Sequence, residues 1–174
     1  MLNRTMDQLT SLRLEKKYRI EQFFLDRNRD IDLICNTAEI KQIIQNRGVV
    51  HSNSDEDRLK SDFTYLNNYI SSFGYYQRMF LANGDSVIYC LNPVQSEAVD
   101  SCTDHPVLTE LLVQLSTESH PSGKTLLKDI TKSNPVILTG KPVTDHMGNT
   151  IGSVILEIPI AAINTIMTDY SEQN

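Results

Sequence analysis

Tryptophan is absent from this 174-residue chain, and glycine (7), proline (6) and cysteine (3) are scarce. Three cysteines cannot build the dense disulfide framework that stands in for a core in small secreted domains. A chain of this length has to bury apolar side chains instead, and a 40% hydrophobic content is enough for one real core. Positive charge is also in short supply. The formal net charge of −6 leaves nothing to neutralise a phosphate backbone, so nucleic acid is not an expected partner. No apolar run reaches the roughly 18–20 residues that span a bilayer, and no signal peptide is seen. The chain as given therefore reads as soluble, or as the soluble piece of a membrane protein.

Catalytic signatures are missing as well. There is no G-x-S-x-G, H-E-x-x-H, Walker loop or G-x-G-x-x-G. C-x-x-C-H is absent too, which excludes covalent c-type haem attachment. The expectation is a protein that is not an enzyme and has no cofactor. The cluster DSCTDH (100–105) fits no zinc spacing and lacks a second histidine nearby. Capping of the helix near Pro106 by Thr103 or Asp104 accounts for it better than a metal.

Residues 1–46 contain neither Gly nor Pro, and Ile20, Phe24, Ile31, Ile34 and Ala38 recur at helical spacing. One helix of about 40 residues would extend roughly 60 Å, so part of it must project or pack on another chain. Its first turns are more solvated, because Arg13 and Lys16 fall where the apolar stripe would continue. The basic run RLEKKYR (13–19) reads as a solvated helix face with Glu15 interspersed. A second helix over about 57–72 buries Leu59, Phe63, Leu66 and Ile70, and Gly74 stops it.

The apolar period then changes to two. Strands are expected over 75–82, 86–91, 124–130, 135–143 and 150–159, with a helix near 106–117 and a final helix after Pro159. Asp145 serves the turn before the last strand. This order predicts an α+β domain with a five-stranded antiparallel sheet. Cys35 sits in an apolar helical stretch and reads as a buried small hydrophobe. Cys90 and Cys102 are either two free thiols or, in an oxidising compartment, a bridge worth about 3 kcal/mol.

Three stretches bear a resemblance to a known family. SLRLEKKYRIEQFFLDRNRDIDLI (11–34), YLNNYISSFGYYQRMFL (65–81) and GKPVTDHMGNTIGSVILEIPIAAINTIM (140–167) resemble the Cache family of extracytoplasmic sensor domains. The family often has Asp where Gln77 stands and commonly Gln where Glu157 stands. The resemblance implies a PAS-like fold behind a long N-terminal helix, with transmembrane helices flanking residues 1–174 in a periplasmic, inner-membrane receptor. The output would be a chemoreceptor signalling region, a histidine kinase or a cyclic-dinucleotide enzyme, and KKYRIEQFF favours the chemoreceptor. Its divisions would be a helix over 1–46, a PAS-like core over 57–159 and an exit helix from 160.

The stretch GYYQRMFLANGDSVIY (74–89) is the expected binding element. A two-residue Asn83-Gly84 turn would set Arg78 opposite Tyr89 and Phe80 opposite Val87, with Tyr76 on the same face. A three-residue turn would set Arg78 opposite Cys90 instead. A guanidinium flanked by phenols suits a carboxylate, so an organic acid or amino acid is the expected ligand, held by Tyr76, Arg78 and Tyr89. Lys141 and Thr139 share a strand face and could complete an anion site, whereas strand lysines such as Lys141 and Lys128 also guard sheet edges. Two chains are expected to pair in parallel along residues 1–46, because so long a helix cannot bury its stripe alone. A receptor module that only dimerises, with no ligand, is the alternative.

Overall fold

The computed structural model describes residues 2–46, 55–84, 86–92, 106–117, 124–128 and 135–168. Helix α1 (Leu2–Asn36) gives way at Thr37 to α2 (Ala38–Asn46). The sequence predicts a single helix here, and two polar side chains interrupt it. Asn36 Nδ2 and Thr37 Oγ1 donate to the carbonyls of Asp32 and Leu33, each at 2.9 Å, in competition with the helical ladder. Thr37 then caps α2, its carbonyl accepting the Lys41 N–H at 3.2 Å. Every residue from Met6 to Leu14 is exposed, and burial begins at Phe23, so the first half of α1 projects as expected. Lys17–Glu21 and Arg19–Glu15 pairs confirm that the basic run lies on a solvated face.

Helix α3 (Asp55–Ser71) buries Leu66 and Ile70 and ends before Gly74, which adopts φ +72°. Strands β1 (Arg78–Asn83) and β2 (Ser86–Leu91) form the first hairpin, followed by α4 (Pro106–Thr117). Strands β3 (Lys124–Lys128), β4 (Val136–Thr144) and β5 (Thr150–Pro159) lead into α5 (Ile160–Thr168). Neighbouring strands are antiparallel in the order β2-β1-β5-β4-β3, with β3 at the edge beside β4. The β4–β5 turn is built on Asp145. Its carboxylate accepts the Met147 and Asn149 N–H groups at 2.8 Å, and Gly148 supplies φ +86°. Those bonds, the Asn149 side chain foremost, hold the Asp145 carboxyl below its ordinary range.

The hairpin register differs from both expected pairings. Asn83 pairs with Ser86 and Ala82 with Val87, around Gly84 at φ +61°. A bulge then shifts the pairing, so that Leu81 faces Tyr89 and Phe80 faces Cys90. The turn position alone would have kept every residue on the face that the two-residue turn gives it. The one-residue bulge moves Tyr89 and Cys90 off the faces that the two-residue turn would give and onto those of the three-residue alternative.

The sheet carries a cluster of buried apolar residues on each face. On one side Met79, Leu81, Tyr89, Leu91, Ile137, Val154, Leu156 and Ile158 pack with Ile31, Ile34, Ile40, Ile44, Leu66 and Ile70 of the first three helices. On the other, Phe80, Ala82, Cys90, Leu138 and Ile155 pack with Leu108, Leu111, Leu112 and Leu115 of α4. These four leucines are the inward set that their spacing predicts. Cys35 is buried, and burial pushes its thiol up to about 12.

Candidate functional site

β1 opens with Arg78, whose Cα pairs with Glu157 of the adjacent strand β5. Residues across a ladder point to the same face, so the two side chains meet: Arg78 Nε donates to Glu157 Oε1 at 2.9 Å. Phe80, two residues on, places its ring 5.8 Å below the guanidinium carbon. The alternation of β1 puts this pair on the α4 face, in line with Phe80, Ile155 and Leu138. Exposure is unequal across the pair. The Arg78 side chain retains 26%, while that of Glu157 retains 1%. A carboxylate so fully withdrawn from water needs its cation, and about a quarter of the cation's side chain remains in reach of solvent.

The opposite face has its own polar set. Tyr76 precedes the strand rather than belonging to it, because ladder pairing with β5 begins at Arg78. Freed from strand alternation, Tyr76 turns toward α1 and donates to Asp30 Oδ2 at 2.7 Å. Burial, and next that hydrogen bond, push its phenol pKa far above the ordinary value, so it stays a donor. Asp30 also lies 3.0 Å from Arg27 Nε. That contact is ionic rather than a hydrogen bond, since Arg27 Nε and Nη1 are both buried without a hydrogen-bond partner among the described residues. The Arg27 guanidinium carbon lies 4.2 Å from the Tyr75 ring centroid, 5.0 Å from Phe23 and 5.6 Å from Tyr76. Two residues along α1, about half a turn, Asp32 pairs with Lys141 of β4, and Cys35 Sγ reaches the Lys141 carbonyl at 3.9 Å.

Of the five residues expected in one site, the structure therefore places only Arg78 on the α4 face. Tyr76, Tyr89, Thr139 and Lys141 lie on the α1 face, where Tyr89 and Thr139 are buried and Lys141 is engaged by Asp32. The expected cluster of Arg78 between Tyr76 and Tyr89 is overturned by the bulge and by the late start of β1. Sequence reasoning missed Glu157, although a lone charge in the apolar run IGSVILEIP was the signal for it. It also missed Arg27, which occupies the buried stripe of α1 midway between Phe23 and Ile31.

Cys90 is disulfide-bonded and Cys35 is free. Cys102, the cluster 100–105 and the side chain of Lys128 lie outside the described residues. Among the described residues no group of three or more His, Cys, Asp or Glu side chains could hold a metal. No described helix is long and apolar enough to cross a membrane.

Two antiparallel hairpins joined through β5, with a long helix on one face and a short helix on the other, give an α+β fold that is found among solved sensory domains. Solved structures that share the fold include sensory domains of bacterial chemoreceptors. The sensory domain of the Campylobacter jejuni chemoreceptor Tlp3 matches with a TM-score of 0.62 at 14% identity, over 93% of this chain and 63% of that one. The same receptor's ligand-binding domain in complex with L-valine matches with a TM-score of 0.61 at 16% identity, over 93% and 62%. A domain assigned to a sensory box/GGDEF family protein from Vibrio parahaemolyticus matches with a TM-score of 0.59 at 14% identity, over 98% and 64%. This chain thus spans about three fifths of the length of the solved domains that it resembles. No protein-family model matches the chain, and no curated protein matches its sequence.

Proposed function

We propose that this chain is the extracytoplasmic ligand-binding part of a transmembrane signalling receptor, most simply a methyl-accepting chemotaxis protein. A sensor histidine kinase or diguanylate cyclase would use the same module. It binds a small molecule that carries a carboxylate, and an amino acid fits best. The observation that carries this reading is the Arg78–Glu157 pair on the α4 face. Arg78 offers its fork to a carboxylate. Glu157 is bonded through one oxygen to Arg78 Nε, and in this reading its other oxygen accepts from the ligand's ammonium group as the ligand enters beside Arg78. A pair of net charge zero gains nothing from an unaccompanied anion, whereas a zwitterion satisfies both members at once. The chemoreceptor domain solved with L-valine has the same fold.

The chain's division into an N-terminal helix, a PAS-like core over 57–159 and an exit helix from 160 suits signalling through the two ends. β5 carries Glu157 and continues without a break into α5, and Lys16 of α1 donates to the Met167 carbonyl of α5. The disulfide at Cys90 fits an oxidising, periplasmic compartment, and its partner in this reading is Cys102. Two copies pair in parallel along α1, whose outer side exposes Leu14, Tyr18, Leu25 and Leu33 by 47–61%. Single-cysteine crosslinking at Leu25 tests the pairing, and a parallel dimer gives a Leu25-to-Leu25 product.

The alternative, a dimerisation module without a ligand, draws on the close packing of the α4 leucines against Phe80 and Ile155. A thermal-shift screen of amino acids and organic acids separates the two. The sensor reading expects at least one amino acid to raise Tm in the parent protein and not in Glu157→Gln. No shift with any compound overturns it.

A further inference from the structure

We propose that Asp30 of α1, acting through Tyr76, is a positioning residue for Arg78, so that α1 and the α4-face pair cannot move independently. The identity of the ligand rests on the reading above, but the coupling does not.

Three consecutive residues make three ties in different directions. Tyr76 donates to Asp30 on α1 at 2.7 Å, Gln77 N donates to the Glu157 backbone carbonyl at 2.9 Å, and Arg78 Nε donates to the Glu157 carboxylate at 2.9 Å. The segment is too short to absorb a displacement, since two extended residues span only about 7 Å. A shift of Arg78 is therefore shared by Glu157 beside it and by Tyr76 behind it. Tyr76 in turn works against a fixed point. Asp30 cannot swing away with the phenol, because it is the counter-charge of the buried Arg27 guanidinium, which is itself enclosed by the Phe23, Tyr75 and Tyr76 rings.

The next acidic residue of α1 repeats the device on the other flank. Asp32 pairs with Lys141 of β4, which lies on the far side of β5 from β1. Residues 30–32 thus grip the lead-in of β1 and the middle of β4, and the strand between them carries Glu157. A ligand that reorients the Arg78–Glu157 pair alters the geometry presented to that single turn of α1.

The test uses 15N-labelled protein and the Arg78 Nε–H signal, assigned by its loss in Arg78→Lys. Tyr76→Phe keeps the ring and removes only the hydroxyl, and Asp30→Asn removes the charge. Each is expected to shift that signal and raise its solvent exchange at least fivefold, about the lower end of coupling factors between linked sites. In the reverse direction, Glu157→Gln is expected to shift the backbone amides of α1 between Arg27 and Ile34. Thr165→Ala, on the surface of α5, should do neither. A merely structural Tyr76 would lower Tm and leave the Arg78 signal of the folded protein unchanged, which overturns the proposal. Should Asp30→Asn fail to fold, Tyr76→Phe and Glu157→Gln decide it. The twenty L-amino acids, added singly to the parent protein, are a separate arm. If none gives a response while the variants communicate, the ligand reading fails and the positioning role stands.

Discussion

The two faces of the sheet receive polar residues from the same short segment and treat them in opposite ways. On the α1 face, Tyr76 and Lys141 each meet an acidic residue of the helix, and Arg27 is shut inside rings. On the α4 face, a buried carboxylate is paired with a cation that still reaches solvent. Polar groups buried against a long helix are consumed in holding it, and only a group with an unspent side can recognise something else. The contrast separates residues that look alike in the sequence. Arg27 and Arg78 are both arginines beside aromatic rings, but one is shut in against a helix and the other keeps part of its side chain in solvent.

The strongest way to break the α1 face is to remove its buried counter-charge. Asp30→Ala leaves the Arg27 guanidinium uncompensated at 8% exposure, and a loss of about 3–5 kcal/mol is expected in urea unfolding. Glycines compare the faces directly. A Cβ at Gly152 would lie 2.3 Å from the Ala82 backbone oxygen and 2.6 Å from Ile44, on the α1 face. A Cβ at Gly140 would meet the end of the Leu115 side chain at 2.7 Å, on the α4 face. Backbone cannot yield as a side chain can, so Gly152→Ala should cost about 3 kcal/mol and Gly140→Ala under about 1.5. Equal losses would show that the α4 face is no more adaptable than the other.

Tyr76→Phe takes one hydrogen bond to a carboxylate and should cost about 1.5 kcal/mol by the same measurement. The smallest effect lies at the turn. The Asp145 carboxyl is held below its ordinary pKa, so the bonds it accepts contribute at pH values above about 4, the ordinary carboxylate value, and are lost as pH falls through the lower folded value. An acid titration followed at the Met147 and Asn149 amides should move late in the parent protein and be flat in Asp145→Asn. At neutral pH the Asp145→Asn substitution itself should leave the amides of both sheet faces unshifted.

Much of this architecture was legible because apolar period and turn chemistry are local. The helix over 106–117 and the strands over 86–91 and 150–159 fall where the pattern puts them. Asp145 and Gly148 make their turn from their own side chain and backbone freedom. The site was less legible because it depends on which face each residue occupies. A single bulged residue in β2 moves Tyr89 across the sheet, and nothing in SVIYC announces it. Tyr76 shares the face of Arg78 only if the strand has already begun, and β1 begins at Arg78. The break at Thr37 was hidden for a similar reason, since Asn36 and Thr37 act through side-chain bonds to carbonyls that periodicity does not register.

The central claim is that the Arg78–Glu157 pair recognises a molecule bearing both a carboxylate and an amine. Isothermal titration of the parent protein and Glu157→Gln with the twenty L-amino acids and the matching 2-hydroxy acids tests it most directly. The account predicts that at least one amino acid binds the parent, that its 2-hydroxy counterpart binds at least tenfold more weakly, about 1.4 kcal/mol, and that Glu157→Gln erases the difference. An amino acid that binds both proteins equally, or a 2-hydroxy acid that binds the parent as tightly as its amino acid, would contradict it.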